Sequence, residues 1–181
     1  MINDQHLSQI VFIDIQEKLV DVMMKNEIKK VIDASIILIE AAKILEVPCL
    51  YTEQYPKGLG PTVKELKSLL PHPPIEKKAF SCLDEPSFKS HLVKSRPQII
   101  LCGLETHICI LQTALALKAL GKKVFVVEDA TLSRSNLNHQ NAIHRLRSEG
   151  VVITNVESVI FEWLRVAEGD NFKAVAKLIK S

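Results

Sequence analysis

Three side chains suited to hydrolytic chemistry each follow a separate apolar run. Asp14 ends Val11-Phe12-Ile13, Lys77 follows Ile75-Glu76, and Cys109 closes Ile99-Ile100-Leu101-Cys102-Gly103-Leu104-Glu105-Thr106-His107-Ile108-Cys109. In the last of these a strand runs out, turns through Gly103 and enters a helix that Thr106 is placed to cap. First-turn amides lack helical partners, and the helix dipole favours negative charge there. Such a place stabilises a thiolate, the reactive form of cysteine, and offers N–H donors to a developing oxyanion. Each residue also has an ordinary structural explanation. Cys109 suits a core as a small hydrophobe, Asp14 suits a turn or helix cap, and Lys77 suits a solvated surface.

The elements around them alternate between short β-like runs and longer helical ones. Strands are expected at residues 10–13, 47–51, 75–77, 98–101, 124–127 and 151–153. Helices are expected at 27–45, 62–70, 85–94, 106–120, 136–147, 158–167 and 172–179. Thr62 and Glu65 have the spacing of a capping box, Gly121 and Gly150 of helix stops, and 71–74 is a proline break. Apolar β-branched strands separated by helices imply an α/β fold. The expected form is a doubly wound, Rossmann-like, six-stranded parallel sheet with helices on both faces, in one domain over residues 1–181. Ligands of such sheets bind beyond the carboxyl ends of the strands, where Asp14, Lys77 and the Gly103–Cys109 turn all fall.

Composition narrows the function classes. The chain carries 23 basic and 21 acidic residues, and its few aromatics do not interleave with basic runs, so a nucleic-acid partner is not expected. The first residues show no basic-then-apolar leader, and no apolar run is long enough for a membrane span. Four cysteines (49, 82, 102 and 109) lack paired-ligand or redox spacing, which points to a reduced, cytoplasmic protein. Cys82 and Cys102 are expected to pack in the core. The six histidines show no metal-ligand spacing; His107 reads as a packing or surface residue with some chance of touching substrate.

Three segments together resemble the isochorismatase-like cysteine hydrolases. These are Phe12-Ile13-Asp14-Ile15-Gln16-Glu17-Lys18-Leu19, Glu76-Lys77-Lys78-Ala79-Phe80-Ser81, and Gly103 through Ala114 followed by Val124-Phe125-Val126-Val127-Glu128-Asp129-Ala130. The resemblance covers most of the chain. It implies a triad of Asp14, Lys77 and Cys109, with Lys77 preferred to Lys78 because the family's lysine stands three before an aromatic, here Phe80. It also implies a cis Leu104–Glu105 peptide and an oxyanion hole made of the Glu105 and Cys109 N–H groups, for which Thr106 competes as a cap. Gln16, Gln54, Tyr55 and Phe80 are candidates to touch substrate.

Metal-dependent nicotinamidases of this superfamily carry histidines after the second strand. This chain reads Thr52-Glu53-Gln54-Tyr55-Pro56-Lys57-Gly58 there, so neither zinc nor nicotinamide is expected. Isochorismatases proper cleave a vinyl ether without a cysteine. Cys109 therefore points to amide, carbamoyl or imide cleavage of a small molecule through a thioester, with no cofactor. Vinyl-ether or ester hydrolysis without covalent catalysis, and an idle binding or assembly scaffold, are the alternatives. Broad apolar coverage in Val159, Ile160, Phe161, Trp163 and Leu164, together with the resemblance, suggests a homo-oligomer.

Overall fold

A computed structural model describes residues 1–70 and 72–179. Pro71, in the expected proline break, lies outside the described residues. Six parallel strands form one sheet: β1 (Ser8–Ile13), β2 (Cys49–Gln54), β3 (Ile75–Lys77), β4 (Gln98–Leu104), β5 (Lys123–Leu132) and β6 (Val152–Thr154). Their order is β3-β2-β1-β4-β5-β6. The helices are α1 (Glu17–Asp21), α2 (Lys25–Ile44), α3 (Pro56–Leu59), α4 (Lys64–Lys67), α5 (Pro86–His91), α6 (Leu111–Ala119), α7 (Asn136–Ser148), α8 (Val156–Leu164) and α9 (Gly169–Ile179). A 3-10 turn spans Cys82–Asp84, and a π-helical turn spans Thr106–Ile110.

Strand alternation divides the interior in two. Ile10 and Phe12 of β1 face a core shared with α2, α8 and α9; Val11 and Ile13 face the one shared with α5, α6 and α7. This is the doubly wound arrangement expected from the apolar runs. In α2, Ile28, Val31, Ser35, Leu38, Ile39 and Ala42 recur at helical spacing and are its buried side.

The strand order reverses between β1 and β4, and the carboxyl ends at such a switch point are where doubly wound sheets bind ligands. Close pairing of these two strands depends on Gly103. It sits opposite Ile13 with φ +119, and a Cβ there would lie 2.0 Å from the Ile13 carbonyl oxygen.

Several local expectations are corrected. The Thr62/Glu65 capping box does not form. Thr62 pairs antiparallel with Gln16 and its N–H donates to Glu53 Oε1 at 2.7 Å, and α4 starts after Val63 without a side-chain cap. Strand β2 runs past Tyr51 to Gln54 because Thr52, Glu53 and Gln54 continue to pair with β3. The apolar excess near the end of the chain is mostly internal: Val159, Ile160 and Trp163 are buried, and Phe161 is the exposed member. It therefore carries little of the argument for self-association.

Candidate active site

Register lines the site up across the sheet. Ile13 pairs with Thr52, and Gln54 pairs with Lys77, so β1, β2 and β3 end side by side at one rim. In β3 the alternation buries Ile75 and Lys77 and exposes Glu76, while Lys78 beyond the strand end is also exposed. Lys77 thus points inward. Asp14, one residue past β1, adopts φ 51, and its N–H donates to the Thr52 carbonyl at 3.2 Å.

The Lys77 ammonium donates to Asp14 Oδ2 at 2.7 Å, to Gln54 Oε1 at 2.6 Å, and to the Ala79 and Phe80 carbonyls at 3.3 Å each. It lies 3.6 Å from Cys109 Sγ. The other carboxylate oxygen of Asp14 accepts from Thr52 Oγ1 at 2.7 Å. Both side chains of the ion pair are fully buried, whereas Cys109 keeps 6% of its surface exposed. A sulfur, a carboxylate and an ammonium from distant parts of the chain thus meet at the carboxyl ends of the strands.

The sequence leaves the net charge state of Cys109 open, because a carboxylate and an ammonium bias a thiol in opposite directions, and burial decides it. Burial first, and the Asp14 carboxylate second, push the Cys109 thiol far above the ordinary thiol value, and the nearby Lys77 ammonium does not outweigh them. The resting group is a thiol hydrogen-bonded to Asp14. Burial opposes the charge on Lys77, but Asp14, Cys109 and Cys82 more than compensate, so its pKa stands above the usual lysine value.

The turn carrying Cys109 is not a capped α-helix. Leu104–Glu105 is a cis peptide, Glu105 is the extended residue that opens the turn, and the Ile108 and Ile110 N–H groups both donate to its carbonyl, at 3.1 and 3.3 Å. Thr106 is already inside the turn. Its hydroxyl pairs with His139 Nδ1 at 2.9 Å rather than with the turn's own amides. Glu105 Oε2 accepts from the Arg134 N–H at 2.9 Å, and His107 Nδ1 pairs with Ser133 Oγ at 2.9 Å. Burial lowers the His139 pKa, with Glu128 opposing, which favours a neutral ring.

The four candidate substrate contacts separate. Gln54 is half-buried, with its Oε1 on Lys77 and its Nε2 on the Lys78 carbonyl at 2.6 Å. Gln16 is fully buried. Its Nε2 donates to the Gln54 and Gly60 carbonyls and its Oε1 accepts from the Gln54 N–H, so it fastens the loop after β2 instead of facing the opening. Tyr55 and Phe80 are more than half exposed beside Lys77. The Tyr55 N–H donates to the Lys77 carbonyl, and the Phe80 carbonyl accepts from the Lys77 ammonium. Cys82 and Cys102 are completely buried, one in each core. Among the described residues, no group of three or more His, Cys, Asp or Glu side chains converges as metal ligands would. Sequence reasoning missed Thr52, Ser133, Arg134 and His139, all of which act across strand or helix contacts that local spacing does not reveal.

Fold and site define a doubly wound α/β domain with a cysteine, a carboxylate and a lysine at its switch point. The isochorismatase domain matches residues 8–158, and the chain belongs to that family. It is 39% identical over 182 residues to the secreted isochorismatase effector Isc1 of Phytophthora sojae, covering 97% of this chain and 85% of that protein. The structure described as the MAR1 ribonuclease of Caenorhabditis elegans aligns with a TM-score of 0.93 and 36% identity, covering 100% of this chain and 93% of that one. Two YcaC structures are also similar, each 25% identical over 99% of this chain. The Escherichia coli protein, described as an octameric hydrolase of unknown specificity, has a TM-score of 0.91 over 89% of its length. The Pseudomonas aeruginosa protein, solved with hexane-2,5-diol and covalent acrylamide, has a TM-score of 0.87 over 96% of its length. No helix among the described residues is long and apolar enough to cross a membrane.

Proposed function

We propose that the protein is a cofactor-free cysteine hydrolase that cleaves a C–N bond, in an amide, carbamoyl or imide group, of a small molecule. The observation that carries this reading is the buried contact of Cys109 Sγ, Lys77 Nζ and Asp14 Oδ2 at the carboxyl ends of the strands. Asp14 accepts the Cys109 proton as the sulfur attacks the carbonyl carbon. Lys77 faces negative charge throughout, first on Asp14 and then on sulfur. The Glu105 and Cys109 N–H groups receive the tetrahedral oxyanion. Asp14 returns the proton to the leaving nitrogen, a thioester remains on Cys109, and water attacking with Asp14 as base releases the acid. Tyr55 and Phe80 flank the entrance and are placed to contact substrate.

Acrylamide is an electrophile that thiols add to, so the covalent adduct in the Pseudomonas aeruginosa YcaC structure supports a reactive nucleophile in this fold. The near balance of 23 basic and 21 acidic residues favours a small substrate over the polyphosphate backbone that a ribonuclease must hold. Self-association is supported by the octameric relative and by Tyr55, Phe80 and Leu137, exposed large side chains that each follow a strand's carboxyl end. Free thiols at 49, 82, 102 and 109 suit a reducing compartment such as the cytoplasm.

The test is turnover of a panel of small amides, carbamoyl compounds and imides, followed as ammonia from the first two and as the acid-plus-amide product from imides, with mass spectrometry of the protein during turnover. Wild type should accumulate an acyl adduct on Cys109, and Cys109→Ala should lose at least about 10³-fold in rate while keeping its fold. Near-normal turnover by folded Cys109→Ala overturns the covalent reading.

A further inference from the structure

We infer that His139, acting through Thr106, is a positioning residue for the turn that bears the nucleophile and its oxyanion donors; the inference rests on the hydrolase reading above. Three consecutive side chains of that turn, Glu105, Thr106 and His107, are each held by the segment leading from β5 into α7. Their partners are the Arg134 N–H, His139 Nδ1 and Ser133 Oγ. The Thr106–His139 bond is the one made between two buried side chains: Thr106 is fully buried and His139 is 6% exposed. In a low-dielectric interior such a bond is strong, and losing either partner strands the other.

The turn needs an external hold. Its π-helical ring, closed by the Ile110 N–H on the Glu105 carbonyl at 3.3 Å, is wider than an α-turn. Glu105 immediately precedes Thr106, and Cys109 follows it by three, so one pin between them sets both proposed donors relative to the carbonyl under attack. His139 itself stands behind the turn. His139 also lines a different cleft, together with Met24 and Val31 at the start of α2, and its hydrogen bond is to Thr106 and not to Asp14 or Lys77. Its effect on the reaction therefore passes through Thr106.

The experiment compares Thr106→Val, Thr106→Ser, His139→Leu, His139→Asn and the double variant T106V/H139L in the full-length protein. The readouts are kcat and KM for ammonia release from the best amide of the panel, and the rate of Cys109 alkylation by iodoacetamide. Alkylation displaces iodide and builds no oxyanion, so it reports on the sulfur alone. Thr106→Val and His139→Leu should lose about 10- to 100-fold in kcat with KM within about threefold, the scale expected of a misplaced reacting group. Thr106→Ser, which keeps the hydroxyl, and His139→Asn, whose amide stands where Nδ1 does, should regain most of it. The double variant should be no worse than the worse single, because both break one bond. Alkylation should stay within about threefold of wild type in every variant. Wild-type kcat in folded Thr106→Val and His139→Leu overturns the inference, as does alkylation falling in step with kcat, or losses that multiply in the double variant. If His139→Leu fails to fold, the near-isosteric Thr106→Val and Thr106→Ser pair decides. A wild-type protein that turns over no member of the panel and whose Cys109 resists iodoacetamide even at pH 9.5 refutes the hydrolase reading itself, an outcome visible in the wild-type arm alone.

Discussion

Lys77→Met probes the buried ion pair most directly. Lys77 and Asp14 are both fully buried and 2.7 Å apart. Removing the ammonium takes away the cation paired with Asp14 and leaves the carboxylate with the Thr52 hydroxyl and the Cys109 thiol as side-chain donors. Breaking one partner out of a buried pair costs about 3–5 kcal/mol, because the survivor stays desolvated and unpaired. For a chain of 181 residues that is a fall in Tm of roughly 6–20 °C. Asp14→Asn/Lys77→Met removes both charges and should recover at least half the loss. Urea unfolding followed by the fluorescence of Trp163, the single tryptophan and a core residue, gives the four free energies of wild type, Lys77→Met, Asp14→Asn and the double variant. Lys77→Met lying within about 1 kcal/mol of wild type, or a double variant whose loss equals the sum of the singles, would refute the coupled-pair argument.

Other consequences follow from the same geometry. Because Cys109 rests as a raised-pKa thiol, iodoacetamide should alkylate it slowly near neutrality and faster throughout the rise from pH 7 to 9.5. A rate already on a plateau at pH 7 would show a resting thiolate instead. Global stability should hold below about pH 9 and fall above it. Burial raises the Cys49 thiol from 9.0 to about 12, and burial, opposed by Lys77, raises Cys82 from 9.0 to about 11. A raised folded value means that the unfolded chain ionises first, so stability is complete below the unfolded value and lost as pH climbs through the folded one. Urea midpoints at pH 7, 8.5 and 10 check the sign, and a midpoint that rises at pH 10 contradicts it. Gly103→Ala should abolish folding or cost more than about 4 kcal/mol, since its methyl group must occupy the space of the Ile13 carbonyl. Recovery of a soluble variant with a wild-type urea midpoint would show that β1 and β4 can separate there.

What the sequence made legible is whatever rests on local period and strand ends. Apolar β-branched runs located all six strands, and the polar residue just past β1 proved to be Asp14 at the switch point. Lys77 rather than Lys78 points inward because it keeps step with Ile75 in a period-two strand, as the spacing to Phe80 implied. The rest depends on distant partners. Thr106 has the composition of a cap, yet the extended residue is Glu105, and the hydroxyl goes to a histidine 33 positions away. Gln16 looks like a recognition amide until Gln54 and Gly60 are seen to engage it. The charge state of Cys109 was not legible for a related reason. A helix start argues for a thiolate, but burial and an adjacent carboxylate are tertiary facts, and they are larger.

A neutral resting thiol is no obstacle to the proposed chemistry, because the proton transfer creates no new charge in the buried site. Before attack the charges are those of the Asp14 carboxylate and the Lys77 ammonium, 2.7 Å apart, with a neutral thiol beside them. After the proton moves to Asp14, the same ammonium faces the sulfur, 3.6 Å away in the resting geometry. One negative charge has shifted between two groups around a fixed cation. The desolvation that opposes ionising Cys109 into water-like isolation therefore does not act in full against transfer to Asp14, whose own charge disappears in the same step. What remains is the difference between a short ion pair and a longer one, and incoming substrate can reverse it by drawing negative charge onto the carbonyl oxygen at the Glu105 and Cys109 amides. On the proposed mechanism the sulfur is thus protonated before substrate binds and becomes nucleophilic as a carbonyl arrives.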